Sequence, residues 1–306
     1  MLPDESLAII QKIEEPLAQE KGIQLFIKRE DLIHPEISGN KWRKLKYNLE
    51  EARSQGYFTL LTYGGVFSNH IAAVACAGQE FGFKTIGVIR GEESSKENPT
   101  LSRASEQGMT LHFVDRTSYR EKNSPTFLAQ LKQKFGDFYN IPEGGSNCLA
   151  IKGCREILPR SENYDYVCIS VGTGGTIAGL ITTKSLESKM LGFSSLKGDF
   201  LKGEVENLIR KCLLSEIQPW QVISDYHFGG YAKFDQNLIS FINDFKKNHQ
   251  IQLDPIYTGK LFYGVINLIS KGFFTRGSKI LVVHTGGLQG INGFIYRYGQ
   301  LIEKPK

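Results

Sequence analysis

Tyr166-Val167-Cys168-Ile169-Ser170-Val171-Gly172-Thr173-Gly174-Gly175-Thr176-Ile177-Ala178-Gly179 passes from strand to helix through a run of glycine and threonine. The first six residues are mostly β-branched or aromatic, which suits a buried strand. Ile177, Ala178 and Gly179 open an apolar helix. The glycines between them let backbone N–H groups converge, and Thr173 and Thr176 add hydroxyls, so the turn is built to hold an anion. No Gly-Lys-Ser/Thr follows, which excludes a nucleoside-triphosphate loop. The third glycine of a dinucleotide fingerprint is replaced by Ile177. A single phosphate monoester fits best. A plain tight turn accounts for one or two of the glycines but not for the whole run.

Working outward, the same strand-then-helix alternation recurs. Strands are expected at 23–28, 58–62, 85–89, 110–114, 166–171, 221–224 and 279–284. Helical stripes lie between them, as in Trp42, Leu45, Leu49 and Ala52, or Ile71, Val74 and Ala75. This pattern predicts an α/β protein with two open domains and largely parallel sheets. Residues 48–153 are expected to form a smaller domain. Residues 1–47 and 154–306 are expected to form a larger one, with a cleft between the two.

Three more junctions share the polar, glycine-rich character. In Ser38-Gly39-Asn40-Lys41-Trp42-Arg43-Lys44-Leu45-Lys46, four cations crowd the first turns of a helix. That is the positive end of the helix dipole, where cations are disfavoured. A bound phosphate, or the capture of one lysine as an imine, would relieve the crowding; a solvated basic face is the plainer reading. In Tyr63-Gly64-Gly65-Val66-Phe67-Ser68-Asn69-His70 a strand closes and a helix opens, which suits carboxylate or phosphate binding as well as simple capping by Ser68 or Asn69. Ile141-Pro142-Glu143-Gly144-Gly145-Ser146-Asn147 reads as a loop only.

Composition sets outer limits. The 306 residues are 41% hydrophobic and 23% charged, with a net charge of +5 and no basic block. A folded, soluble protein follows, and nucleic acid is a poor partner. No apolar run is long enough for a membrane span, and the acidic start lacks signal-peptide order. The five cysteines are odd in number and lack any CxxC. They indicate neither a disulfide framework nor a metal site, and most are expected to be buried thiols of a cytoplasmic protein.

A phosphate cup, a lysine near a helix start and a carboxylate clamp are the parts that pyridoxal 5'-phosphate chemistry requires. In order along the chain, Ser38-Gly39-Asn40-Lys41-x-Arg43-Lys44-Leu45, Gly64-Gly65-x-x-Ser68-Asn69-His70, Gly172-Thr173-Gly174-Gly175-Thr176, Tyr257-Thr258-Gly259-Lys260 and His284-Thr285-Gly286-Gly287 resemble the D-cysteine desulfhydrase and 1-aminocyclopropane-1-carboxylate (ACC) deaminase family. That family belongs to the tryptophan-synthase-β-like pyridoxal-phosphate enzymes of fold type II. The resemblance runs from about Arg29 to Gly287.

The resemblance implies a role for each motif. Lys41 would hold the cofactor as an imine. Lys44 and the loop Gly172, Thr173, Gly174, Gly175 and Thr176 would hold its phosphate. Asn69 would bond its ring hydroxyl, and Thr258 would face its ring nitrogen. Ser68, Asn69, His70 and Thr285 would bind a small amino-acid substrate, and Tyr231 and Tyr257 would line the reacting side. A homodimer is implied as well. ACC deaminases of the family carry Glu and Leu where this chain has Thr258 and Thr285, so both positions point to the desulfhydrase branch. The implied reaction is α,β-elimination on D-cysteine. ACC ring opening, or cofactor binding without catalysis, are the rivals. Phe67 departs from the glutamine usual before Ser-Asn in the family.

Overall fold

The computed structural model describes residues 2–158, 163–183, 188–214 and 217–303. Its strands are β1 (Ile10–Ile13), β2 (Gln24–Lys28), β3 (Thr59–Gly65), β4 (Lys84–Arg90), β5 (Met109–Val114), β6 (Tyr139–Asn140), β7 (Tyr166–Val171), β8 (Lys189–Ser194), β9 (Trp220–Ile223) and β10 (Lys279–Val283). They form a six-stranded sheet, β1-β2-β10-β7-β8-β9, and a four-stranded sheet, β5-β4-β3-β6. Every pairing is parallel except β1 with β2. The expected α/β class with largely parallel sheets is what the chain forms.

β7 and β10 show why these strands read as continuous apolar runs. Val167, Ile169, Val171, Leu281 and Val283 point into one core, and Cys168, Ile280 and Val282 into the other. A sheet covered on both faces needs apolar residues at every position. Each such side chain contributes about 1.5–3 kcal/mol of burial.

Three strands, β1, β6 and β8, are absent from the sequence expectation. β8 is hard to recognise because Gly192 interrupts it. That glycine is required by packing: a Cβ there would lie 2.5 Å from Ile177 Cδ1 and 2.8 Å from Val171 Cγ2.

We propose that each sheet is the centre of one domain. The expected limits at 47/48 and 153/154 fall within the helix Asn40–Ser54 and near the end of the helix Cys148–Cys154. These helices pack so closely that a Cβ on Gly153 would sit 1.8 Å from the Arg43 carbonyl oxygen. We take this helix pair as the seam between the two units.

The cysteine expectation needs correction. Cys148 and Cys212 form a disulfide; Cys76, Cys154 and Cys168 are buried free thiols. The partners are 64 residues apart, so no local spacing announces the bond. It ties the start of the Cys148–Cys154 helix to the end of the Leu201–Lys211 helix. Closing a loop of this size stabilises a fold by up to about 4 kcal/mol in the chain-entropy description. Reduction, or the paired change Cys148→Ser and Cys212→Ser, should therefore lower the denaturant midpoint. An unchanged midpoint would show that the bridge contributes nothing.

Candidate active site

The carboxyl ends of parallel strands are where α/β sheets bind ligands. Here β3, β4, β7 and β10 all end at one cleft of about 1330 Å³, lined by residues from both sheets. The Asn40–Ser54 helix begins on its floor.

The four cations of that helix sort by face. Arg43 is buried and paired twice with buried Glu30, at 2.8 and 3.0 Å, and also meets Glu5. Lys46 pairs with Glu5 and Glu156. Both are structural. Lys41 and Lys44, three residues apart and so on a shared face, line the cleft. No carboxylate pairs with either one among the described residues. Burial, and then the charge of Lys44, hold the Lys41 amine down to about 7. Burial alone brings Lys44 down to about 8. Lys41 Nζ donates to Asn40 Oδ1 at 3.0 Å, and Asn40 Nδ2 donates to Thr176 Oγ1 at 2.9 Å.

Lys44 meets the glycine turn after β7. Its Nζ donates to Gly144 O (2.9 Å), Ser146 Oγ (3.1 Å) and Thr173 Oγ1 (3.4 Å). Ser146 and Thr173 hydroxyls are 2.7 Å apart. A Cβ on Gly175 would lie 2.7 Å from Ser146 Oγ and 3.0 Å from Lys44 Nζ. Glycine thus leaves open a small cradle with an ammonium and hydroxyls pointing into it. Ser146 belongs to the third junction, which by sequence reads as a loop alone; only the fold brings it to the cup.

The Ser68 junction caps its helix. Ser68 Oγ accepts from the backbone N–H of His70 and Ile71, at 3.2 and 3.3 Å, which leaves its O–H free to donate. Asn69 is buried beside the 287–290 turn and donates to Gly287 O at 3.4 Å. His70 is buried with Nε2 2.8 Å from Thr62 Oγ1. Thr62 gives its one hydroxyl proton to Ile141 O, so it accepts from His70 Nε2–H. Nδ1 is then a lone-pair acceptor, and it is unpartnered in the structure. Burial, with Lys41 and Lys44 nearby, pushes His70 well below the ordinary histidine value. It stays neutral at physiological pH.

Tyr257 precedes the helix Thr258–Ser270 and packs on Gly172, where a Cβ would lie 3.2 Å from its ring. Its ring meets Tyr231 edge-on at 6.2 Å between centroids. Burial, and then Tyr231, raise the Tyr257 phenol well above its ordinary value. Both tyrosines line the cleft, as do Ser68, Asn69, His70, Gly172, Thr173, Gly174, Thr176 and Thr285.

Thr258 is not on the cleft wall. It is fully buried, and its hydroxyl donates to Asp254 Oδ2 at 2.6 Å and accepts from Asp254 N at 2.8 Å. Asp254 meanwhile accepts the backbone N–H groups of residues 256–258 at the helix start. Capping therefore uses this threonine and its carboxylate. The Ser170 and Thr285 hydroxyls, 3.3 Å apart, do line the cleft. Phe67 also lines the cleft and leans on Gly293, where a Cβ would meet its ring at 2.6 Å.

His34, Cys76 and Glu80 bring donor atoms within 4.8 Å of one another. His34 Nδ1 accepts from the backbone of Glu36 and Ile37, so its Nε2 carries the ring proton. Burial pushes the Cys76 thiol up to about 12. The trio therefore presents a protonated imidazole nitrogen and a thiol rather than a lone pair and a thiolate.

The fold and cleft define an α/β protein that offers a neutral-prone amine beside a phosphate-sized cradle. Residues 14–286 match the family described as pyridoxal-phosphate dependent enzyme, and the chain belongs to that family. It is a pyridoxal-phosphate-dependent enzyme. A Pyrococcus horikoshii relative, named provisionally as a 1-aminocyclopropane-1-carboxylate deaminase, is 34% identical over 90% of this chain and 87% of its own length. The mitochondrial bifunctional D-cysteine desulfhydrase/1-aminocyclopropane-1-carboxylate deaminase of Arabidopsis thaliana is 32% identical over 88% of this chain and 74% of its own. A crystal structure described as an ACC deaminase homologue superposes with TM-score 0.81 and 27% identity, covering 98% of this chain and 97% of that one. No helix among the described residues is long and apolar enough to cross a membrane.

The donor set fits the cofactor. Lys44, Ser146, Thr173 and Thr176 would hold its phosphate, and Lys41 would take its aldehyde. Amines add to aldehydes only when neutral, so cofactor-free protein should take up pyridoxal phosphate roughly tenfold more slowly at pH 6 than above pH 8. Uptake that keeps climbing through pH 9 would mean an ordinary lysine. The linked effect on stability has a definite sign. Between about 7 and 10.5 the folded chain binds fewer protons at Lys41 than the unfolded chain, so this group adds stability as pH rises through that window.

Proposed function

We propose that this enzyme catalyses α,β-elimination on a small amino acid, D-cysteine first, giving pyruvate, ammonia and hydrogen sulfide. The observation that carries the reading is the wall made by Ser170 and Thr285. It offers the cofactor hydroxyls, while Asp254, the carboxylate bonded to Thr258, is occupied in capping. Pyridoxal phosphate supplies the electron sink for breaking the α C–H bond. A sink faced by neutral hydroxyls is adequate where a good leaving group departs from the β-carbon.

The chain's own groups divide the work. The Ser68 O–H and the start of its helix bind the substrate carboxylate. Lys41, with its lowered pKa, takes the α-proton. Tyr257, held protonated, is placed with Tyr231 to donate to the departing sulfur. The β C–S bond breaks as sulfide leaves, and water converts the released enamine to pyruvate and ammonia. Phe67 on Gly293 makes one side of the substrate space apolar.

ACC ring opening to 2-oxobutyrate is the second reading, favoured by the names of the relatives. Loaded enzyme offered D-cysteine, L-cysteine and ACC separately discriminates between them. Pyruvate with sulfide from D-cysteine is expected. 2-Oxobutyrate from ACC, with D-cysteine inert, would replace the proposal by the second reading.

A further inference from the structure

Lys260 closes the Tyr257-Thr258-Gly259-Lys260 motif, yet it does not line the cleft. Its side chain is 1% exposed. Its Nζ donates to His227 O at 2.9 Å and Gly230 O at 2.8 Å. No carboxylate pairs with it among the described residues. A buried ammonium satisfied only by carbonyls is costly compared with an apolar side chain of the same size, so packing alone does not explain a lysine here.

The turn it holds is under strain. Phe228, Gly229, Gly230 and Ala232 have φ of 53°, 93°, 119° and 54°. Two of these are not glycine, and such conformations persist only where the surroundings impose them. The turn's own bonds are local: Gly229 N to His227 Nδ1 and Gly230 N to His227 O. Tyr231 stands within this turn, 45% exposed in the cleft, with its ring against Tyr257. Lys260 follows Tyr257 by three residues. One side chain thus ties the strained turn that carries one tyrosine to the helix that starts at the other.

We propose that Lys260 is a positioning residue that sets Tyr231 against Tyr257 for leaving-group protonation. This rests on the elimination reading for its catalytic consequence but not for its geometric one. Removing the ammonium frees the turn to relax and withdraws Tyr231, while the phosphate cup and Lys41 stay in place.

The test is Lys260→Met in the full-length, cofactor-loaded enzyme. With whichever panel substrate turns over, kcat should fall roughly 10- to 100-fold, with KM and cofactor affinity nearly unchanged. Adding Tyr231→Phe should cost nothing further. Independent, multiplying losses would overturn the proposal. The second readout needs no turnover: 3-fluorotyrosine placed at position 231, followed by fluorine NMR. Its resonance should shift and broaden in Lys260→Met, while a label at position 139 does not change. An unmoved resonance at 231 would overturn the geometric claim even if no substrate is found. Moved resonance with no active substrate would instead count against the elimination reading. If the methionine variant does not fold, Lys260→Gln replaces it. Its shorter amide reaches one carbonyl at most, so an intermediate loss is predicted, again absorbed by Tyr231→Phe.

Discussion

Lys41→Ala is expected to abolish both the visible absorption of protein-bound cofactor and turnover, by roughly 10³-fold or more, while leaving the fold intact. The two halves of this expectation have separate origins. The chemical half follows from the cleft: Lys41 and Lys44 are the lysines facing it from the Asn40–Ser54 helix, and Lys44 is held by Gly144, Ser146 and Thr173. The structural half follows from electrostatics. Among the described residues the Lys41 amine makes one hydrogen bond, to Asn40, and it lies beside a second buried cation, Lys44. Its removal takes away no ion pair and relieves a repulsion. Cofactor-free Lys41→Ala should melt at or above the temperature of the parent. A variant that keeps turnover would remove Lys41 from the reaction altogether.

Gly39→Ala should be nearly as damaging, for a reason remote from chemistry. Gly39 has φ +61° and ψ −135°, a region nearly closed to alanine. An added Cβ would also lie 2.0 Å from Thr285 O and 2.3 Å from Thr285 C. These are backbone atoms and cannot rotate away. The same join carries Gly39 N to Glu30 O at 2.9 Å and Asn40 N to Thr285 O at 3.2 Å. Forcing it apart displaces the start of the helix that carries Lys41. A loss of about 3 kcal/mol or more is expected, together with weaker cofactor binding, read from denaturant titration and cofactor release. Gly56→Ala is the control. Gly56 also has positive φ, +76°, but open space around it. It should cost only the conformational part, about 1–2 kcal/mol. Equal losses in the two variants would mean that the close approach to Thr285 does not matter.

The legible and illegible parts of the site separate along one physical line. The glycine–threonine turn after β7 was readable because the run itself, strand, glycines and hydroxyls, is contiguous. Lys41, Arg43, Lys44 and Lys46 stand out together as cations at the wrong end of a helix dipole. Charge alone does not say which of the four are functional, since Glu5, Glu30 and Glu156 reach Arg43 and Lys46 from distant segments; the choice of Lys41 and Lys44 comes from the family resemblance. Ser146 is illegible in sequence for the same reason: its value depends on Lys44, 102 residues away in the chain. The family resemblance implies that Thr258 faces the cofactor, whereas Asp254 four residues earlier draws its hydroxyl into a cap. The Cys148–Cys212 bridge is likewise a product of tertiary contact. Among the strands, β8 was hidden by Gly192, a residue that weakens a strand signal yet is demanded by Ile177 on the neighbouring helix. Local chemistry shows in sequence; the partner that decides its use is brought by the fold.

The claim on which the rest depends is that Lys41 carries the cofactor. Borohydride treatment of the loaded protein, followed by proteolysis and mass spectrometry, fixes the cofactor to whichever lysine holds it. The account predicts the reduced cofactor on the peptide containing Lys41, and on Lys41 itself within it. Label on Lys44 or Lys260, or on any lysine outside the cleft, would contradict it.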